Sequence, residues 1–205
     1  MATEFENLQE QATGPDEHAR PTHYGYKASL IGAAQQFDLI DAGLSWRFAG
    51  RSGLWRYSDI TAIRLSYRPV SMQARRFRAD IENTGGNRIA ILSTTWQTVS
   101  LMSPQDHGYR AFMVELHRRM NRAGSTAALI GGIGPKTYAT ALVMLALLAI
   151  AMIGLLVRAL ATFEWTGALF LVGFALLFTW QIGGFVKRNR PRSYSFDALP
   201  GALLP

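Results

Sequence analysis

Two windows of the sequence, residues 137–157 and 166–186, contain no charged side chain, and all 14 acids and 21 bases of the 205-residue chain lie outside them. Each window is 21 residues long, which at about 1.5 Å rise per residue covers the ~30 Å hydrocarbon core of a bilayer. The eight residues between them, 158–165, suffice only for a tight antiparallel connection. The pattern predicts a hairpin of two transmembrane helices. A buried soluble hairpin would need protein on every side of both helices, more than the rest of so short a chain can supply.

Charge near the windows sets the expected orientation. Arg118, Arg119, Arg122 and Lys136 precede the first window and Lys187, Arg188, Arg190 and Arg192 follow the second, whereas the connection holds one base, Arg158, and one acid, Glu164. Basic residues gather on the cytoplasmic side. Both termini are therefore expected in the cytoplasm, with 158–165 as an outer loop, in a two-span protein of a cell inner membrane. Phe163 and Trp165 fall at the outer boundary, and Tyr138 and Trp180 near the inner one, as amphipathic rings do. Eighteen Arg against three Lys is the usage of a GC-rich, bacterial genome. Within the second window Ala175, Thr179 and Gly183 recur every four residues, a small-residue stripe suited to helix packing within the hairpin or to self-association. Neither window holds an Asp, Glu, Lys, Arg or His, so nothing marks a proton relay or ion path.

The remainder reads as a soluble domain between polar segments. Residues 1–25 carry five acids against one base and no apolar run, the composition of a disordered acidic tail rather than a cleaved leader. From residue 26, short apolar stretches broken by turn residues predict strands at 27–33, 37–40, 44–48, 54–57, 60–67, 76–82 and 88–92. The clearest alternation sets Phe77, Ala79 and Ile81 on one face and Arg76, Arg78, Asp80 and Glu82 on the other. Ile63, Leu65 and Tyr67 alternate likewise with Arg64, Ser66 and Arg68, and the glycines of 83–87 supply a hairpin turn, so three of these strands form a meander. Ser103, Pro104 and Asp106 then read as a helix start: a hydroxyl cap, proline at the first position and an acid at the third. The helix should run to about Arg122, with Tyr109, Phe112, Met113, Leu116 and Met120 as one apolar stripe and Gly124 ending it. Residues 125–136 read as a Gly-rich linker, and 187–205 as a basic, Pro-containing cytoplasmic tail.

The stretch WRYSDITAIRL at 55–65, GNRIAI at 86–91 and the helix carrying Phe112 and Leu116 resemble the bacterial PH-like (pleckstrin-homology-like) domains found in membrane proteins. The likeness covers roughly residues 27–124. Residues 191–205, with Tyr194 and the Leu-Pro and Leu-Leu-Pro groups, are similar to tails of related small membrane proteins. The resemblance implies an α+β chain in which an antiparallel PH-like β-barrel or sandwich at 26–124 is capped by a C-terminal helix and followed by the hairpin. It also implies a binding or scaffolding module and brings no catalytic residues with it.

The chemistry-bearing residues agree with that. With no cysteine there is no disulfide, thiolate nucleophile or Cys-ligated metal. His18, His23, His107 and His117 have no partner at ligand spacing and are expected to be solvated, so no metal site is predicted. Ser103, Asp106 and His107 sit on one turn, where they cannot line up as a triad. The stretch 131–137 matches a phosphate loop in composition only, since Pro135 stands where glycine must precede the lysine. No catalytic residue, cofactor or small-molecule substrate is therefore assigned. What stands out is basic surface: residues 27–124 hold 14 bases and seven acids, and Arg64, Arg68, Arg75, Arg76 and Arg78 lie on or beside one outward hairpin face. Each base near an anionic membrane contributes roughly 1 kcal/mol, offset here in part by Asp80 and Glu82. These five arginines are the candidate lipid- or partner-binding residues, and Ala175, Thr179 and Gly183 the candidate helix-packing residues. Nucleic acid is not expected, because positive charge would be the sole argument for it. The expected function is a membrane-anchored, non-enzymatic scaffold whose cytoplasmic domain binds a protein partner or anionic head groups. The alternative is an accessory subunit, or a homo-oligomer, in which the hairpin packs on other helices of a larger inner-membrane complex.

Overall fold

The structure, a computed structural model, describes residues 22–29, 32–69, 75–98 and 102–205; nearly all of the expected acidic tail lies outside them. Strands β1 (His23–Tyr26), β2 (Gln35–Ile40), β3 (Gly43–Phe48) and β4 (Arg51–Trp55) form an antiparallel sheet in chain order. After a 3-10 turn at Tyr57–Asp59 come β5 (Ile60–Tyr67), β6 (Phe77–Asn83) and β7 (Arg88–Leu92), then the small pair β8 (Thr94–Trp96) and β9 (Met102–Pro104). Helix α1 (Asp106–Arg122) follows, then β10 (Ala128–Gly131), α2 (Pro135–Ala161), α3 (Trp165–Arg188), β11 (Arg192–Ser193) and a 3-10 turn at Gly201–Leu203. The second sheet has the order β11-β10-β5-β6-β7.

Alternation builds the sheets. Ile63 and Leu65 of β5 pair with Ile81 and Ala79 of β6, and all four are fully buried, leaving Arg64 opposite Asp80 and Ser66 opposite Arg78 on the outward face. The stripe of α1 closes over the core: Tyr109, Phe112, Met113, Leu116 and Met120 are completely buried, and the Phe112 ring lies 5.6 Å from that of Tyr24. Gly124, with φ of +65°, ends this helix as its position implies.

The two sheets do not close into a barrel. Where a closed barrel would have β1 and β7 share a backbone ladder, the phenol of Tyr24 donates to the Leu92 carbonyl at 2.6 Å and that of Tyr26 to the Ala90 carbonyl at 2.7 Å. Just beyond β1 a backbone bond also crosses, the Trp96 N–H donating to the Lys27 carbonyl at 3.1 Å. Burial pushes both phenols well above their ordinary value, so they remain donors across the pH range a protein meets.

Several local expectations are corrected. Residues 23–25, read as the end of a tail, form β1 together with Tyr26, and Tyr24 and Tyr26 lie in the core. The described part of 27–33 is not strand. Ser103 and Pro104 belong to β9 rather than capping a helix, and α1 starts at Asp106 with no side-chain bond at its N-cap, Gln105. The segments read as linker and tail contribute β10 and β11, which flank the apolar hairpin in sequence and pair antiparallel with each other. Leu129, Leu203 and Leu204 from these segments are buried in the same core. The hairpin is therefore inserted between two neighbouring strands of one sheet.

The hairpin helices, 27 and 24 residues long, are both long and apolar enough to cross a membrane. Nothing in α2 is buried and only Ala168 in α3. Both run past the expected windows, so Arg158 is helical and the turn shortens to residues 162–164.

Candidate functional site

The direction of β10 decides where the hairpin leaves the lobe. It runs parallel to β5, Ala128 opposite Ala62 and Gly131 opposite Leu65, and the chain then passes within four residues into α2. The Tyr67 end of β5 and the start of α2 therefore share one end of the lobe. The close of α3 returns to that end. Asn189, fully buried, accepts the Tyr67 N–H on Oδ1 at 3.0 Å and donates from Nδ2 to the Tyr67 carbonyl at 2.8 Å. Its backbone carbonyl accepts the Ile133 N–H at 3.1 Å, while Gly132 N–H donates to the Leu65 carbonyl at 2.8 Å. One asparagine thus extends the ladder where β10 stops, and satisfies backbone groups that burial would otherwise leave unpaired. Gly132 is required here: its φ is +88°, and a Cβ would lie 2.4 Å from the Asn189 carbonyl oxygen. The Arg188 guanidinium stands 4.9 Å from the centre of the Tyr67 ring, a cation–π contact at the same place.

Beside this joint lies the outward face of β5 and β6. Arg64, Ser66 and Arg68 project from one strand and Arg76, Arg78 and Asp80 from the other, with the Arg68 N–H donating to the Arg76 carbonyl at 2.8 Å. The structure sorts the five candidate arginines. Arg78 donates from Nε at 2.9 Å and Nη2 at 2.6 Å to Oδ1 of nearly buried Asp80. Arg68 and Arg75 are exposed. Arg76 is half-buried, and burial first, then the like charges of Arg78 and Arg68, draws its guanidinium below the ordinary value. Arg64 is also half-buried, and its Nη1 reaches the hairpin: a Cβ on Gly134 would lie 3.9 Å from it. Glu82, which shares the face, is taken by Arg88 at 2.6 Å.

Among the described residues, three buried polar atoms on this face have no hydrogen-bond partner: Arg64 Nη1, Ser66 Oγ and Arg76 Nε. Ser66 is fully buried. Sequence reasoning passed over it, although its place between Arg64 and Arg68 in an alternating strand was the available signal. Asn189 offered none, being an unremarkable polar residue after a helix among basic neighbours.

The stripe of Ala175, Thr179 and Gly183 faces α2 across an open groove of about 500 Å³, which Met152 and Lys187 also line. A Cβ on Gly183 would have nothing within 4 Å, so the two helices do not close on each other there. Of the two helices only Ala168, near their turn, is buried.

On the opposite side of the core, His117 is buried, contrary to the expectation of a solvated ring. The Met113 carbonyl can only accept, so Nδ1–H donates to it at 2.7 Å, and Nε2 accepts from the Tyr194 hydroxyl at 3.0 Å. Burial lowers the imidazole to about 4, against the smaller opposing effect of the Met113 bond. The Tyr194 N–H donates to the Leu129 carbonyl at 3.1 Å and Arg110 Nη1 to the Pro205 carbonyl at 2.8 Å, so the segment after β11 is tied to both α1 and β10. Comparison with protein-family models, curated proteins and solved structures finds no match to this chain.

Proposed function

We propose that this chain is a membrane-anchored, non-enzymatic interaction module, a PH-like sandwich held at the cytoplasmic face of a bacterial inner membrane by a two-span hairpin. The observation that carries the reading is the placement of charge against grease. Two long, predominantly apolar helices, of which only Ala168 is buried, leave and re-enter the lobe at the end where Arg64, Arg68, Arg75, Arg76, Arg188 and Arg190 gather. A surface of that sign, fixed at the level of anionic head groups, gains roughly 1 kcal/mol for each base close to the lipid. Meanders of four and three strands followed by an apolar-striped helix support the PH-like part of the reading.

The test is made on the whole chain expressed in bacteria. Alkaline carbonate should leave it in the membrane pellet, and trypsin added to intact spheroplasts should spare the lobe. Release into the wash sinks the anchor, and digestion of the lobe sinks the orientation.

The second reading is an accessory subunit whose hairpin seats on another helix. The unfilled groove along Ala175, Thr179 and Gly183 favours it, since small residues let helices approach closely in lipid. A stoichiometric integral-membrane partner after crosslinking in mild detergent would put this reading first.

A further inference from the structure

We propose that residues 189–205 are a closing segment: the lobe is complete only once both hairpin helices have been made and the second has returned the chain to the lobe's own side. Closure stands on contacts within the lobe. Its use as a checkpoint, by which the interaction module becomes competent only after its anchor is in place, rests on the membrane reading above.

Order along the chain sets the condition. Domains fold from the N-terminal part onward as a chain is synthesised, and here β1 to β10 are made before α2, α3 and residues 189–205. What is made first lacks partners that it has in the finished fold, and unpaired polar groups in a packed interior are costly. Strand β10 lies between β5 and β11, so one of its edges stays open until Arg192 pairs with Gly131 and Ser193 with Ile130. The N–H and carbonyl of Tyr67 are met by the side chain of Asn189, 122 residues later. Nε2 of buried His117 is met by the Tyr194 hydroxyl. One segment supplies all three, and apolar filling with them. Leu203 is fully buried and Leu204 nearly so, while Tyr194, Phe196 and Leu199 pack against the same core. The seat of Leu203 depends on Gly131, where a Cβ would lie 2.9 Å from Leu203 Cδ1. Arg110 Nη1, donating to the Pro205 carbonyl at 2.8 Å, ties the far end.

Delivery leaves no slack. Helix α3 ends at Arg188, and the next residue, Asn189, is already in the joint with β5. At the other foot, Gly132 donates to Leu65 just before α2 begins at Pro135. Both feet must therefore stand at one end of the lobe. The hairpin's own side chains do little of the closing, since α2 buries none and α3 only Ala168. What the hairpin decides is where 189–205 emerges. In a bilayer, a second helix that failed to cross back would strand the segment on the far side from β10.

The first experiment uses the whole chain, purified in mild detergent with a protease site placed in the turn at 162–164 and cut there. Residues 165–205 should stay bound to the lobe. Asn189→Ala with Leu203→Ala should weaken that retention by more than about tenfold, whereas Leu169→Ala with Leu176→Ala, which trims exposed side chains of α3, should leave it unchanged. Equal retention in all three would mean that the helices hold each other, and overturns closure; so does separation of the cut wild type. If the double variant does not fold, Tyr194→Phe takes its place. It removes only the hydroxyl on His117 and should speed amide exchange at Leu129 to Gly131 about threefold in the uncut chain. Exchange unchanged there overturns closure.

The checkpoint is tested in membranes. Phe174→Arg with Leu177→Arg puts two charges in the middle of α3, where they oppose its insertion. In inverted vesicles, which present the cytoplasmic side, added trypsin should spare the wild-type lobe and digest that of the variant about tenfold faster, although neither the lobe nor residues 189–205 have changed. Equal resistance overturns the checkpoint. If alkaline carbonate releases the chain from membranes, the anchor falls and the checkpoint with it, and the detergent experiments still decide closure.

Discussion

The lobe and the hairpin are both rich in apolar side chains and dispose of them in opposite ways. Phe37, Leu65, Phe112 and Leu116 of the lobe are wholly buried, whereas Leu169 is 79% and Trp180 81% exposed on α3. One part carries its own apolar solvent and the other must find it outside. The difference teaches that stability and location are separable here: packing within the sandwich fixes the fold, and the surroundings fix the hairpin. The strongest way to break that separation is a pair of truncations. Phe112→Ala, in the middle of the aromatic core, should cost about 3–5 kcal/mol, seen as a fall in the denaturant midpoint of the whole chain in detergent. Leu169→Ala, which removes as greasy a side chain from α3, should leave that transition in place. Equal effects would mean that the hairpin is part of the core.

A buried histidine in the lobe sharpens the comparison through pH. An unfolded histidine titrates near 6.5, and burial in the lobe brings His117 to about 4. The fold favours the neutral ring, which accepts from Tyr194, so this contribution is complete above pH 6.5 and is lost progressively as the pH falls towards 4. At about 1.36 kcal/mol per unit it amounts to roughly 3 kcal/mol. Unfolding of wild type should therefore become markedly easier between pH 6.5 and 4. His117→Phe should show a shallower fall over the same interval; an unchanged slope would assign the acid sensitivity to other groups.

Asn189 tests the joint itself. Asn189→Ala leaves the N–H and carbonyl of Tyr67 without their partner and should cost about 1–3 kcal/mol. The loss should be local, appearing as faster amide exchange at Tyr67 and Ile133 before the lobe unfolds as a whole. Exchange unchanged at both amides would show that the helix foot stands free of the sheet.

How much of this was legible depends on the length of each periodic signal. The α1 stripe and the β5–β6 alternation each repeat several times, and the five apolar residues of the stripe and Ile63, Leu65, Phe77, Ala79 and Ile81 are buried as read, while Ser66, Asp80, Glu115 and His117, which were not read as core, are buried too. Strand β10 has four residues and β11 two, too few to display a period, and glycines around 131–134 imitate a linker. Their pairing becomes visible only once the hairpin brings its two ends together. His117 was readable in principle, lying four residues after Met113 and directly after Leu116 on a helix, within the width of the buried stripe. Arg78 could not be separated from Arg64 and Arg76 by spacing. All three alternate correctly, and the distinction comes from the neighbouring Asp80 carboxylate choosing one of them.

The smallest expected effect is the most discriminating for the hairpin. Gly183→Leu adds a side chain where a Cβ would meet no atom within 4 Å, in a groove wide enough to receive it. If that groove belongs to a single hairpin, the new side chain occupies space between α2 and α3, the lobe's unfolding midpoint stays within about 0.5 kcal/mol of wild type, and the particle size in mild detergent is unchanged. That is the outcome expected of a hairpin whose function is to place the lobe. A smaller particle would mean that another helix had been occupying the groove, because a leucine excludes a close-packed backbone that glycine admits. The apolar region would then be an interface as well as an anchor, and the contrast with the lobe would narrow to which protein supplies the missing contacts.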